Sequence, residues 1–394
     1  MPSKLKSFLL WYGFAGVLLL VCLTQLHLLP GSGTENPDGY SAMKPLLLLL
    51  APAAIWLSVR TMPANERWLV WTLSLFAASL CEVVHYWCTD KGHFFPAFAF
   101  RDNTAWQIWM HSKILDLDPA LLPHSYRFLP DCIVAIFQRL GGEFEFARLA
   151  YRLLADSLLF SVIFRYARVY LSAISSTAVI LLLVMVYPVT ILRYAGQLTD
   201  PASHLTFAIC LYCLATGNEA GFGASLLVGV FAKESILVMA VCRAFYGSSR
   251  RGAVGLAAIY FAGATALAVA IRLGVNHGTI SYTRISGPGL SHVLNNLGQY
   301  TDWGPLWLVS LGLFLPGTLL GWRWLEPAFK ATALVMTFAL VLSSLFFSWL
   351  REVRNLVPAF IPLAVASLKY LEVQVSVTEN RRRTLPGGDA LTGA

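Results

Sequence analysis

Charge is the scarcest property of this chain. Charged residues make up 13% of its 394 residues, against roughly 25% in a soluble globular domain. That shortage excludes an ordinary soluble enzyme and any long disordered polyelectrolyte. No glycine-rich phosphate loop follows a strand, and no Walker motif, HExxH or GxSxG is present. Nucleotide-fold, zinc-protease and serine-hydrolase chemistry therefore have no anchor. No Asn-x-Ser/Thr sequon, internal repeat or soluble domain stands out. The seven cysteines (22, 81, 88, 132, 210, 213, 242) form no disulfide framework. Cys210 and Cys213 make a CxxC, but inside an apolar run without histidine or carboxylate neighbours. That pair reads as helix packing.

Apolar sequence is abundant, at 57% of residues. Residues 8–29, 68–87 and 331–350 are nearly uncharged runs, each about the 20 residues needed to cross about 30 Å of hydrocarbon as a helix. The sequence specifies an all-α polytopic membrane protein. A β-barrel would alternate instead. The net charge of +8 and pI near 9.2 do not indicate nucleic acid, because the basic residues are spread over loop ends.

Those basic residues set the expected topology. Lys4, Lys6, Arg60, Arg67, Arg165, Arg168, Arg250, Arg251, Arg323, Lys330, Lys369 and Arg381–Arg383 fall on one side if the spans alternate, and the positive-inside rule makes that side cytoplasmic. About ten spans are expected, near 8–29, 45–59, 68–87, 146–166, 171–192, 201–216, 252–272, 304–321, 331–350 and 355–370. The first is read as uncleaved, with both termini in the cytoplasm of a cell whose plasma (inner) membrane holds the chain. Residues 126–140 are amphipathic and too short to cross, so they are expected as an outer-surface helix stopped by Gly141-Gly142. Residues 220–245 lie between two cytoplasmic-looking ends and are too few for two spans, which predicts a re-entrant pair of short helices with Lys233-Glu234-Ser235 at its tip. The expected organisation is two N-terminal helices (1–67), a transmembrane core (68–370) and a disordered tail (371–394).

The longest polar break, residues 82–131, is rich in acids, bases, aromatics and histidines. All eight histidines fall in the outer half under this topology. Asp102 precedes an aromatic segment containing Trp106 and Trp109. It reads either as a general base toward a hydroxyl or as the N-cap of that segment. Asp38, Asp90 and Glu82 are rival acids. Glu82 lies within a span, where an ionisable group is functional by default. Asp156 stands four residues after Arg152, which suggests a pair along one helix. Asp200-Pro201 marks a helix start on the same side as Asp102. Lys233 and Glu234 either neutralise each other or line a cavity. Arg351 and Arg354, flanking Glu352, would clamp a phosphate or anchor lipid headgroups.

Taken in order, Asp102, the segment Tyr126-Arg127-Phe128-Leu129-Pro130, Asp200-Pro201, Lys233-Glu234-Ser235 and Arg351-Glu352-Val353-Arg354 with Pro358 resemble the integral-membrane glycosyltransferases of the GT-C fold. The resemblance covers roughly residues 68–370. It departs from the family pattern in its two preceding spans, in the competing Pro37-Asp38-Gly39-Tyr40 loop, and in a single acid (Asp102-Asn103) where many relatives carry a pair. The resemblance implies transfer of a hexose or pentose from a polyprenyl-phosphate carrier to an acceptor hydroxyl on a lipid or glycan at the outer, periplasmic face. It also implies Asp102 as general base. Arg351, Arg354, Lys233, Glu234, Asp200, Arg127, His124 and Trp106 become the binding residues. A divalent cation is an open question, because the lone acid weakens the case for one. Membrane lipids are the surroundings, and nucleic acid is not expected. The competing reading is a secondary transporter or a polysaccharide- or lipid-translocating protein, since intramembrane charges and a broken helix pair serve those as well.

Overall fold

The computed structural model describes residues 44–86, 103–191, 197–247, 249–275 and 289–384. The expected first span (8–29), Asp38, Asp90 and Asp102 lie outside the described residues. Among the described residues 88% are helical and none is in a strand. Among the described residues six helices are long and apolar enough to cross a membrane: Glu66–His85, Ala173–Ile191, Arg250–Val275, Tyr300–Trp324, Pro327–Phe347 and Val353–Val375. They coincide with six of the expected spans.

Two helices open the described chain, the shorter α1 (Lys44–Val59) and the span-length α2 (Ala64–His85). α3 (Asn103–Leu115) and α4 (Leu129–Gly141) follow. The 25-residue α5 (Phe144–Arg168) comes next. It is too polar to pass as a simple span, yet it is the most central helix, packed against α1, α2, α4, α6 (Ala173–Ile191) and α7 (Thr199–Thr216). Its polar residues are tolerated because protein surrounds them. Arg152, 3% exposed, donates its Nε to both carboxylate oxygens of Glu82 at 3.0 and 2.9 Å. The expected Arg152–Asp156 pair along the helix is therefore corrected: the guanidinium turns across to α2. The Nε–H is shared between both Glu82 oxygens, and Nη2 donates to Tyr187 Oη at 2.9 Å, so contacts to two neighbouring helices outcompete a one-turn contact.

The segment after α7 forms a hairpin. α8 (Glu219–Val230) rises, a 3-10 turn spans Glu234–Ile236, and α9 (Leu237–Cys242) returns. Its base is closed by Arg243 on Glu219 at 2.6 Å. Gly229 lets the two arms and α7 approach closely; a Cβ there would stand 2.9 Å from Ile236 Cγ1 and 3.1 Å from Thr206 Oγ1. The short-helix pair expected from segment length is present.

α10 (Arg250–Val275), α11 (Leu290–Gly298), α12 (Tyr300–Gly321), α13 (Pro327–Phe347) and α14 (Val357–Thr384) complete the described chain. α12 lies along α14 through Gly317 and Gly321, a small-xxx-small spacing that permits close backbone approach. A Cβ on Gly321 would overlap Ala366 O. Thr318 donates to Leu363 O at 3.0 Å and Ser367 to Phe314 O at 2.6 Å, which lock the pair.

Three features differ from expectation. α4 starts at Leu129 rather than near 126, and it is mostly buried rather than lying on a surface. Its polar residues Asp131 and Gln138 are covered by His111 of α3, at 2.8 Å each. α11 was not expected: it presents Leu290, Leu294 and Leu297 outward and buries His292 and Asn296. α14 continues to Thr384, into the segment expected to be a disordered tail from 371.

Candidate functional site

The side chains that could carry chemistry meet where the hairpin tip, the turn before α14 and the start of α7 come together. Each is fixed by backbone contacts. Tyr151 of α5 donates to Leu198 O at 2.8 Å and accepts from Ala202 N at 3.2 Å, which sets the first turn of α7 and therefore Asp200. Leu129 N donates to Phe231 O at 3.2 Å, which ties the hairpin to the segment carrying His124 and Arg127. After α13 the chain turns extended at Ser348. Asn296 of α11 holds that break by donating to Ser348 O at 2.9 Å and accepting from Leu350 N at 3.1 Å. The break delivers the 3-10 turn Val353–Leu356, with Arg354.

Arg354, 4% exposed, donates to Asp200 Oδ2 at 2.6 Å, Gln197 Oε1 at 3.0 Å and Glu352 Oε2 at 3.0 Å. Lys233 lies 3.6 Å from Asp200 Oδ1 and bonds Asn355. Glu234 accepts from Arg127 at 3.0 and 3.3 Å and from Arg272 of α10 at 3.2 Å. Lys233 and Glu234 are therefore not a self-neutralising pair; each looks to a different helix. Four cations (Arg127, Lys233, Arg272, Arg354) share three carboxylates (Asp200, Glu234, Glu352), so one positive charge is in surplus among the described residues.

These groups border a cavity of about 290 Å³. Its polar wall holds His124, Arg127, Gln197, Lys233, Glu234, Glu352 and Arg354. Its apolar wall holds Trp106, Leu121, Phe346, Phe347 and Trp349. Phe346 and Phe347 are also exposed, so this wall continues onto the outside of the bundle. Trp106 stacks on Trp109 with ring centroids 4.8 Å apart. His124 is held neutral, its pKa pushed down to about 3 by burial and then by the cations Arg127 and Arg354.

Of the residues singled out by sequence, Trp106, His124, Arg127, Lys233, Glu234 and Arg354 line this cavity, and Asp200 stands directly behind Lys233 and Arg354. Arg351 does not line it. It turns to Asp302 at 3.9 Å and lies over the Trp349 ring at 4.9 Å. Glu82 is likewise elsewhere, clasped by Arg152. Asp102, outside the described residues, immediately precedes α3, which carries Trp106 on its first turns. Gln197, His292, Ser348, Glu352 and Asn355 are further polar residues of the lining. Glu352 lies between the two arginines and His292 is one of the outer-half histidines; Gln197, Ser348 and Asn355 carried no sequence signal, being polar residues near helix breaks.

Among the described residues no group of three or more histidine, cysteine, aspartate or glutamate side chains could hold a metal ion. The cavity acids are each engaged by a cation, so this donor set does not fit a divalent cation. It suits an anion with an apolar attachment. No protein-family model, no curated protein and no solved structure matches this chain.

Proposed function

We propose that the chain is an integral-membrane glycosyltransferase of GT-C type that takes a sugar from a polyprenyl-phosphate carrier at the outer face of the membrane. In this reading the hairpin is re-entrant, and α1, α5, α7 and the segment 8–29 join the six apolar helices as spans. The observation that carries the proposal is the cavity itself. Its three lining cations, Arg127, Lys233 and Arg354, come from separate parts of the chain, with Arg272 bonded to Glu234 behind them, and among the described residues they outnumber the lining carboxylates Glu234 and Glu352. One wall is aromatic and continues to the bundle exterior. A ligand matched to it has an anionic head and a long apolar tail.

The chemistry follows from those parts. The carrier phosphate binds against Lys233, Arg127 and Arg354, and its isoprenoid tail leaves past Phe346 and Phe347. The sugar lies toward Trp106, whose ring offers a flat apolar face. Asp102 removes the proton of an acceptor hydroxyl. The resulting oxygen attacks the anomeric carbon, and the bond from that carbon to the phosphate oxygen breaks with inversion. The leaving phosphate keeps the electron pair, and preorganised cations in a water-poor site stabilise that charge. No carboxylic acid is needed to protonate it, unlike glycoside hydrolysis. Asp200 and Glu352 keep Arg354 and Lys233 in place before the donor arrives.

The test is sugar transfer by protein in nanodiscs supplied with polyprenyl-phosphate hexoses and pentoses and with lipid or glycan acceptors. Wild type forms product, and Asp102→Asn loses it by about 10²-fold or more, the typical contribution of a general base. Undiminished transfer by Asp102→Asn would remove that residue from the mechanism.

A further inference from the structure

A second, much smaller chamber adjoins the main cavity. Its volume is about 10 Å³, and it is bounded by Gln107, His111, His124, Asp131, Gln197 and Thr199, with Met110, Ile114 and Leu198 as apolar neighbours. His124 and Gln197 form the shared wall, since both also line the main cavity. Asp131 is 1% exposed and Thr199 2% exposed. Three of the residues bordering the chamber each hold an enclosed atom with no hydrogen-bond partner: His124 Nδ1, Asp131 Oδ2 and Thr199 Oγ1. A buried polar group left without a partner is destabilising. Three such groups around one small space are the condition under which a single buried water is held, given that a water needs about one probe sphere of room and 2–4 polar partners.

We infer that this chamber is a binding site for one water molecule that joins Asp131 Oδ2, Thr199 Oγ1 and His124 Nδ1 and completes a proton path from the main cavity to the buried His111–Asp131 pair. The path has an anchored inner end. Asp131 Oδ1 meets His111 Nδ1 at 2.8 Å, and His111 Nε2 meets Gln138 Oε1 at 2.8 Å, which fixes the carboxylate so that Oδ2 points elsewhere. Burial raises the Asp131 pKa against the lowering effect of the His111 bond, which favours proton uptake there. At the outer end His124 is neutral, with Arg127, Lys233, Glu234 and Arg354 facing it. Asp131 faces His111 from α3 and Tyr151 from α5.

The transfer balances. A proton from the cavity binds His124 Nε2 while the Nδ1 proton passes to the water. The water gives one of its own protons to Asp131 Oδ2 and is left as water. The histidine ends in its other neutral tautomer, and the carboxylate ends protonated. Glycosyl transfer to a hydroxyl releases one proton per turnover; the Asp131 carboxylate would hold that proton, and the same steps in reverse return it to the cavity and reset the His124 tautomer before the next turnover. That use rests on the glycosyltransferase reading, whereas the site itself does not.

The test needs no substrate. Protein labelled with ¹⁵N-histidine in nanodiscs is titrated, with His124 assigned by its loss in His124→Gln. Asp131→Asn and Thr199→Val are each expected to move the His124 ring resonances and to shift their midpoint by at least about half a pH unit, about a threefold change in proton affinity. Glu145→Gln, at an exposed position on α5, is expected to leave them unmoved. Should Asp131→Asn fail to fold, the uncharged Thr199→Val exchange decides alone. A density map that resolves waters should show one within hydrogen-bond distance of the three atoms. A dry chamber, or His124 resonances indifferent to the inner substitutions, overturns the site. A coupled His124 in a protein that transfers no sugar leaves the path standing and removes the transferase reading.

Discussion

Removing the Arg354 guanidinium separates what holds the site together from what binds there. Arg354 is 4% exposed and gives three hydrogen bonds, to Asp200, Gln197 and Glu352. Breaking a buried pair by deleting one partner typically costs about 3–5 kcal/mol. The lower end applies to Arg354→Met, because Asp200 keeps Lys233 at 3.6 Å and Glu352 keeps Ser348 Oγ at 3.3 Å. Asp200→Asn preserves shape and leaves Arg354 its bond to Glu352, so about 1.5–3 kcal/mol is expected, the range for bonds to charged groups. Residues in one network do not add. The double variant Arg354→Met/Asp200→Asn should cost less than the sum by about 1–3 kcal/mol. Unfolding midpoints in detergent for wild type, both single variants and the double variant give the coupling. Additivity within about 0.5 kcal/mol would refute the view that these two residues act as one unit. The burial and partners of Arg354 mean that a substantial stability loss should accompany the lost binding.

Other outcomes follow from the same geometry. Gly321→Ala places a methyl against Ala366 O on α14, where backbone cannot easily give way, and should lower stability by about 1–3 kcal/mol in the same unfolding assay. Arg351→Ala should change stability by less than about 1 kcal/mol, because its contact with Asp302 is 3.9 Å long and both side chains are about one-third exposed. Donor binding should also stay near wild type. His124 is neutral in the fold with a pKa near 3 against 6.5 for the free group, so the unfolded chain binds the extra proton first. Its contribution to stability is therefore lost as pH falls from about 6.5 toward about 3, and it is constant above that window. The wild-type advantage over His124→Gln should shrink between about pH 7.5 and about pH 5, and an unchanged difference would contradict the burial of this ring.

The parts of the molecule legible in the sequence are those governed by length and hydropathy. Six apolar helices fall where uncharged runs of span length predicted them. The hairpin followed from a segment too short for two crossings, and its closed base, Glu219 with Arg243, agrees. Residues 200, 233 and 354 were each suspect as charges at helix ends in an apolar chain, and they meet. Tertiary choices were not legible. Whether Arg152 faced Asp156 on its own helix or Glu82 across the bundle depends on how α2 and α5 pack, which the local spacing does not encode. Arg351 and Arg354 are indistinguishable in sequence, and the 3-10 turn sends one inward and the other toward Trp349 and Asp302. α11 escaped notice because its nine residues are too few for a span and its polar side is used to hold the break at Ser348. Likewise, the polar side of α4 looked solvated because the covering residue, His111, lies 20 positions earlier in the chain.

The proposed function puts a phosphate with a polyprenyl tail in the cavity between the hairpin tip and the turn before α14. A photoactivatable polyprenyl phosphate without sugar tests it independently of which sugar is transferred. After irradiation in nanodiscs, peptide mapping should place label on Trp106, Phe346, Phe347 or Trp349, and unlabelled polyprenyl phosphate should compete it away. Lys233→Ala, which removes an ammonium from the anion pocket, should weaken that competition about tenfold or more, the loss expected when a charge-assisted contact worth about 1.5–3 kcal/mol is deleted. Label confined to the lipid-facing surfaces of α10 and α12, uncompeted and indifferent to Lys233, would contradict the account.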